Sequence, residues 1–194
     1  MEYLIVVFAY LLGAIPFGLL IAKARGIDLR KVGSGNIGTT NVLRAVGKKE
    51  ALITLAADIL KGTIPVVIAK ILTGHDTIVA MTAAAAVIGH DFSIYLGFKG
   101  GKGVATSLGV VLGLKPLLGV TLIIVWILTA LCFRYSSLSA LVAFAFLLLF
   151  SFISDLSKPI RLLMILLFAL IYFKHRSNIK RLVQGVEPKL GQRV

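Results

Sequence analysis

The chain has 194 residues, 58% of them hydrophobic and 15% charged, with a formal net charge of +13 and only eight acids. Apolar runs this long and frequent exclude an ordinary soluble domain, because lipid is their natural solvent. The bases fall in short clusters between those runs, which is the pattern of basic cytoplasmic loops and not of a nucleic-acid-binding face.

Residues 3–22 read as the first span, with Pro16 and Gly18 predicting a kink near its inner end. Its charges follow the apolar run instead of preceding it, so it reads as a retained helix with the N-terminus outside, not as a signal peptide. The loop over residues 23–50 carries seven bases and is assigned to the cytoplasm. Span two covers residues 51–72 and contains Asp58 and Lys61. Span three covers residues 77–96 and returns inside at Lys99 and Lys102. A single helix over residues 104–133 would be about 45 Å long, against a hydrocarbon core of roughly 30 Å. Lys115-Pro116 breaks it into a short span over 102–114 and a fifth over 116–133. Two spans here also keep the basic tail inside. Span six covers 138–153 and span seven 159–173. The expectation is therefore one domain, residues 1–194: an all-α integral membrane protein with a seven-transmembrane-helix bundle, the N-terminus outside and the C-terminus cytoplasmic. The single cysteine, Cys132, lies within a span and supports neither a disulfide framework nor a thiolate metal site.

That orientation puts four polar clusters on one side: residues 33–44, 99–106, 134–137 and 175–178. In Phe98-Lys99-Gly100-Gly101-Lys102-Gly103, three glycines expose backbone amides and two lysines add charge, a pattern suited to holding phosphate. It is not a nucleotide P-loop, because Leu96 stands where the first glycine belongs and Gly103 where the magnesium-binding hydroxyl belongs. Gly33-x-Gly35-x-x-Gly38 spells a dinucleotide fingerprint, yet it follows a membrane helix and not a strand, so that reading is discarded. What remains is a loop rich in Ser, Asn and Thr donors. Thr40, Asn41 and Arg44 share a face if the segment is helical, and Arg44 can grip phosphate bidentately. His175 and Asn178 share a face at the inner end of the last span. Ser137 opens span six, where the plain reading is a helix cap. Asp58 with Lys61 is an intramembrane ion pair, either functional or structural, and His90 reads as a buried, hydrogen-bonded histidine. No His, Asp or Glu set has metal-ligand spacing, and no serine elbow is present. A transporter or flippase for phosphorylated metabolites or lipids is the alternative, but it calls for polar groups on both faces and usually an internal repeat.

Ser34-Gly35-Asn36-x-Gly38-x-x-Asn41-x-x-Arg44, Asp58-x-x-Lys61-Gly62, Gly89-His90-x-Phe92 leading into Phe98-Lys99-Gly100-Gly101-Lys102-Gly103-Val104-Ala105-Thr106, and His175-x-x-Asn178-Ile179-x-Arg181-Leu182-x-x-Gly185-x-Glu187 form one combination. It closely resembles the bacterial acyl-phosphate-dependent glycerol-3-phosphate acyltransferase family over essentially the whole chain. The resemblance implies a multi-pass enzyme of the bacterial inner membrane, with its active site on the cytoplasmic side. It would make lysophosphatidic acid, the first acylation of phospholipid synthesis, from a fatty acyl phosphate and glycerol-3-phosphate. No cofactor, metal, nucleic acid or obligate protein partner is expected. It assigns Arg44, Lys102, His175, Asn178 and Ser137 to glycerol-3-phosphate and the chemistry. Ser34, Gly35, Asn36, Thr40 and the backbone of residues 100–103 are assigned to the acyl phosphate, and Gly38, Asn41, Lys99 and Thr106 complete the binding set. Asp58, Lys61 and His90 are supporting residues.

Overall fold

The computed structural model describes residues 2–192. Those residues form ten α-helices, with the two longest connections between α2 and α3 and between α5 and α6. The first apolar run splits into α1 (Glu2–Ala14) and α2 (Phe17–Lys23) at Pro16, which has no N–H to continue the ladder. A short polar helix, α3 (Thr39–Ala45), follows the first glycine-rich loop. The longest helix, α4 (Lys48–Thr73), ends at Gly74 in the left-handed conformation. α5 (Asp76–Asp91) leads through a single 3-10 turn (Ile94–Leu96) into the glycine–lysine loop. α6 (Val104–Leu114) and α7 (Pro116–Phe133) meet at Lys115, with Pro116 at the first turn of α7, where a missing N–H costs nothing. α8 (Ser136–Ile153), α9 (Lys158–Lys174) and α10 (Arg176–Val183) complete the chain, and α10 leaves α9 at an angle of 59°.

Five segments are long and apolar enough to cross a membrane, or six if the bent pair α9–α10 is taken as one span. The short fourth span expected from the sequence is α6. Its eleven residues make a rod about 16 Å long, which falls short of a hydrocarbon core of roughly 30 Å. Five or six segments of spanning character thus stand where seven were expected, and α6 is too short to count among them. The basic tail beyond residue 173, assigned from the sequence only to a side of the membrane, forms α10 and a folded-back strap.

Packing explains the order. α5 is the most enclosed of the long helices and contacts α1, α4, α6 and α9. α4 lies along α6, and here the approach is close: a methyl group on Gly62 would overlap the Thr106 carbonyl, and one on Gly109 the Ile59 carbonyl. Small residues at such crossings let backbones approach where lipid offers no hydrophobic drive. The core joins Val66, Val87, Val110, Phe144, Leu147 and Met164. Leu52, Ile71, Leu117, Leu131 and Ile153 are exposed on the outside, an apolar surface fitted to lipid. Several hydroxyls inside the helices satisfy themselves. Thr54, Thr63, Thr82 and Thr129 each donate to the carbonyl four residues back. Lys70 donates from α4 to the carbonyls of Gly113 and Leu114, closing the C-terminal end of α6.

Candidate active site

The first glycine-rich loop is shaped by Asn41. Its amide donates to the carbonyls of Leu29 and Val32, both at 3.1 Å, and its oxygen accepts the Ser34 N–H at 2.9 Å. Those bonds hold Gly33 and Gly35 at positive φ and leave the side chains of Ser34 and Asn36 facing open space. Asn41 thus builds the loop with an amide that is already fully engaged. Just before Asn41 in the chain, Thr40 Oγ1 lies 3.0 Å from Ser136 Oγ, joining α3 to the start of α8.

The glycine–lysine loop folds back on the end of α5. The Gly100 N–H donates to Asp91 O at 3.2 Å and the Gly101 N–H to His90 O at 3.0 Å. Two of the amides expected to cradle phosphate are therefore engaged. Gly103 sits at φ +71° and turns the chain into α6, whose first amides, Val104 and Ala105, have no partner among the described residues. An unpaired helix start of this kind favours an anion.

The third and fourth clusters meet at Glu187, on the strap that follows α10. Its Oε1 accepts from Ser137 Oγ and from Asn178 Nδ2, each at 2.6 Å, and its Oε2 accepts from Arg181 Nε at 2.6 Å. Asn178 Oδ1 then accepts from Lys102 Nζ at 2.6 Å. Arg44 donates to the carbonyls of Pro188 at 3.1 Å and Lys189 at 3.4 Å. His175 stands where α9 bends into α10. Its Nδ1 lies 2.8 Å from the Ile171 carbonyl, which can only accept, so the neutral ring carries its proton there and leaves Nε2 bare.

Burial pulls the Lys102 ammonium down to about 8; Glu187 opposes that pull, and Arg181, Arg44 and Lys174 add to it. Burial pushes Glu187 up, but the hydrogen bonds from Ser137, Asn178 and Arg181 together outweigh it and hold the carboxyl below its ordinary value.

Two cavities open among these groups. The larger, of about 800 Å³, has a polar end formed by Ser34, Asn36, Thr40, Arg44, Lys102, Ser137, His175 and Asn178, with Gly38, Asn41 and Gly103 in its wall. Its other end is apolar, with Leu55, Ile59, Leu108, Ile123 and Trp126; Asp58 and His90 also reach its lining. The smaller, of about 290 Å³, is lined by Gly35, Gly100, Gly101, Lys174, Arg176 and Ser177 and shares Ser34, Asn36 and Lys102 with the first. Three predicted residues line neither cavity. Lys99 is exposed, and its carbonyl receives Arg30. Thr106 is buried in α6, and Lys61 is buried against Asp58. Among the described residues no group of three or more His, Cys, Asp or Glu is placed to hold a metal ion.

Residue reasoning did not single out Glu187, Arg181, Lys174, Arg176 or Trp126. A usable signal existed for Glu187, which is the only acid after Asp155 in an otherwise basic tail.

Residues 3–185 match the family model described as glycerol-3-phosphate acyltransferase. The chain belongs to the glycerol-3-phosphate acyltransferase family. A curated glycerol-3-phosphate acyltransferase of Francisella tularensis subsp. mediasiatica is 50% identical over 196 aligned residues, covering 100% of this chain and 95% of the relative. One from Geotalea daltonii is 44% identical over 186 residues, covering 96% of each. Two crystal structures of PlsY (YgiH), an integral membrane glycerol 3-phosphate acyltransferase, share the fold. The glycerol 3-phosphate form aligns with a TM-score of 0.95 at 44% identity, over 98% of this chain and 96% of that one. The lysophosphatidic acid form aligns with a TM-score of 0.92 at 43% identity, over 98% and 95%. The chain is therefore a multi-pass integral membrane protein of the glycerol-3-phosphate acyltransferase fold.

Proposed function

We propose that the protein transfers a fatty acyl group from acyl phosphate to the 1-hydroxyl of glycerol-3-phosphate, giving lysophosphatidic acid and inorganic phosphate. The observation that carries this reading is the pair of cavities meeting at Ser34, Asn36 and Lys102, one of them polar at one end and apolar at the other. That shape suits two phosphates side by side and one hydrocarbon tail. Arg44, Lys102, His175 and Asn178, with Ser137, take the glycerol-3-phosphate. Ser34, Gly35 and Asn36 take the phosphate of the donor, and its tail runs past Leu55, Ile59, Leu108 and Trp126. The unpaired amides of Val104 and Ala105 replace those of Gly100 and Gly101 as donors to the developing oxyanion.

Phosphate is a good leaving group, so proximity and charge stabilisation suffice. The glycerol oxygen attacks the acyl carbon, the bond from that carbon to the phosphate oxygen breaks, and inorganic phosphate leaves with its electron pair. The hydroxyl proton passes to His175 Nε2 or to the substrate's own phosphate, whose second pKa is about 6. No covalent enzyme intermediate is needed. The site faces the cytoplasm of a bacterial inner membrane, with seven crossings, the N-terminus outside and the C-terminus inside, as the basic loops require.

The test is purified protein in detergent with palmitoyl phosphate and glycerol-3-phosphate. Phosphate release and lysophosphatidic acid formation are expected without metal, CoA or nucleotide, and palmitoyl-CoA is expected to give no product. Absence of turnover with palmitoyl phosphate overturns the reading, as does normal turnover and affinity in both Arg44→Ala and Lys102→Ala.

A further inference from the structure

Asp58, Lys61 and His90 are among the buried titratable side chains beneath the phosphate site that take no part in that scheme. Asp58 and Lys61 pair at 2.8 Å on α4, and each is only 2% exposed. Lys61 Nζ also donates at 2.9 Å to the carbonyl of Ile15, at the break between α1 and α2, and lies over the Phe17 ring. On α5, His90 Nδ1 stands 3.8 Å from the same Asp58 oxygen and makes no hydrogen bond there. The opposite edge of the ring faces the glycine–lysine loop, where a methyl group on Gly101 would overlap His90 Nε2. The Gly101 N–H also donates to His90 O at 3.0 Å. The next residue is Lys102. One unbroken run of contacts therefore links the break in the first span, Lys61, Asp58, His90 and Gly101 to the cation that lies between the two cavities.

Stability does not account for this cluster. Apolar residues of similar volume generally stabilise a helix interior as well as or better than a buried ion pair. Nor does direct catalysis. A bare carboxylate in the lining of a cavity built for two phosphates would repel them, and Lys61, bonded to Asp58 outside that lining, cancels its charge. What the arrangement does supply is rigidity. A loop of three glycines has no side chains with which to fix itself, and it needs an external surface to lie on.

We propose that Asp58, Lys61 and His90 are positioning residues that seat the glycine–lysine loop and so set the height of Lys102 between the two phosphate sites. His90 is the strut on which Gly101 rests, Asp58 sets the ring, and Lys61 ties Asp58 to the broken first span. The proposal rests on the reading of Lys102 as a phosphate ligand.

The variants are His90→Ala, His90→Gln, and the paired Asp58→Asn/Lys61→Gln, which removes both charges together and leaves no unpaired buried ion. Two measurements are made on detergent-purified protein. The first is hydrogen–deuterium exchange without substrate. His90→Ala and the paired variant are expected to raise exchange over residues 98–103 about tenfold while α7 stays protected as in the unchanged protein. The second is steady-state kinetics. The same two variants are expected to raise KM for glycerol-3-phosphate about tenfold with kcat within about threefold, while His90→Gln, which refills the space over Gly101, stays within about threefold of the unchanged KM. Unchanged loop exchange in both disruptive variants overturns the proposal, as does a rise spread equally over all helices. An unchanged protein that releases no phosphate from acyl phosphate would sink the functional reading, and the exchange result would still decide the role of the cluster.

Discussion

Burial pulls the ammonium of Lys102 down to about 8, so the group is charged below that pH and neutral above it. In the proposed role of Lys102, its hold on an anionic substrate is therefore present at neutral pH and lost as pH rises. The expected outcome is a fall in kcat/KM for glycerol-3-phosphate on passing upward through about pH 8, with Lys102→Arg moving the fall to higher pH; a pH series of initial rates checks it. Glu187 props that pKa up through its charge. Glu187→Gln is thus expected to shift the same fall to lower pH, while Glu187→Ala, which also strips the acceptor from Ser137 and Asn178, lowers kcat/KM about tenfold to a hundredfold. Residue types foretold much of this site and residue contacts much less. Arg44, Lys102, His175 and Asn178 stood out in the sequence because cations and amides near helix ends suggest anions. That Asn41 would spend its amide on Leu29, Val32 and Ser34 was not legible, because the fold-back of a loop leaves no periodic trace.

Helix positions were legible where proline and glycine punctuate long apolar runs. The segment expected over residues 116–133 is α7 itself, and the break at Lys115-Pro116 falls as expected. α10 and the strap behind it were missed, since a short polar helix has no apolar run and draws its stability from Glu187 and from the strap carbonyls around Arg44. The α4–α6 pair makes its own prediction. Gly109 meets the backbone of Ile59, which cannot yield as a side chain would. Gly109→Val is expected to lower the melting temperature of the purified protein by several degrees or to prevent a monodisperse preparation, in line with overpacking costs of about 1–3 kcal/mol. Gly74→Ala, at a position with nothing near it, strains only a left-handed cap and is expected to cost less.

For the whole molecule, the orientation argument requires the first glycine-rich loop and the tail to share one side. In a Cys132→Ser background, Lys31→Cys and Lys180→Cys are expected to react together with a membrane-impermeant thiol reagent only after the cytoplasmic face is opened; labelling of one from each face would break the common site. This expectation rests on the charge pattern, because basic clusters report sidedness even where they say nothing of contact. The short reach of α6 was legible too, from the spacing between its loop and Pro116. On the seven-crossing reading, a rod of eleven residues leaves one of its ends recessed within the thickness of the acyl tails, with its neighbours around it. In the proposed reaction, a mixed anhydride delivered to a recess of that kind would meet an alcohol held in place and few free water molecules. Its chemical potential is then spent on making an ester and not lost to wasteful hydrolysis.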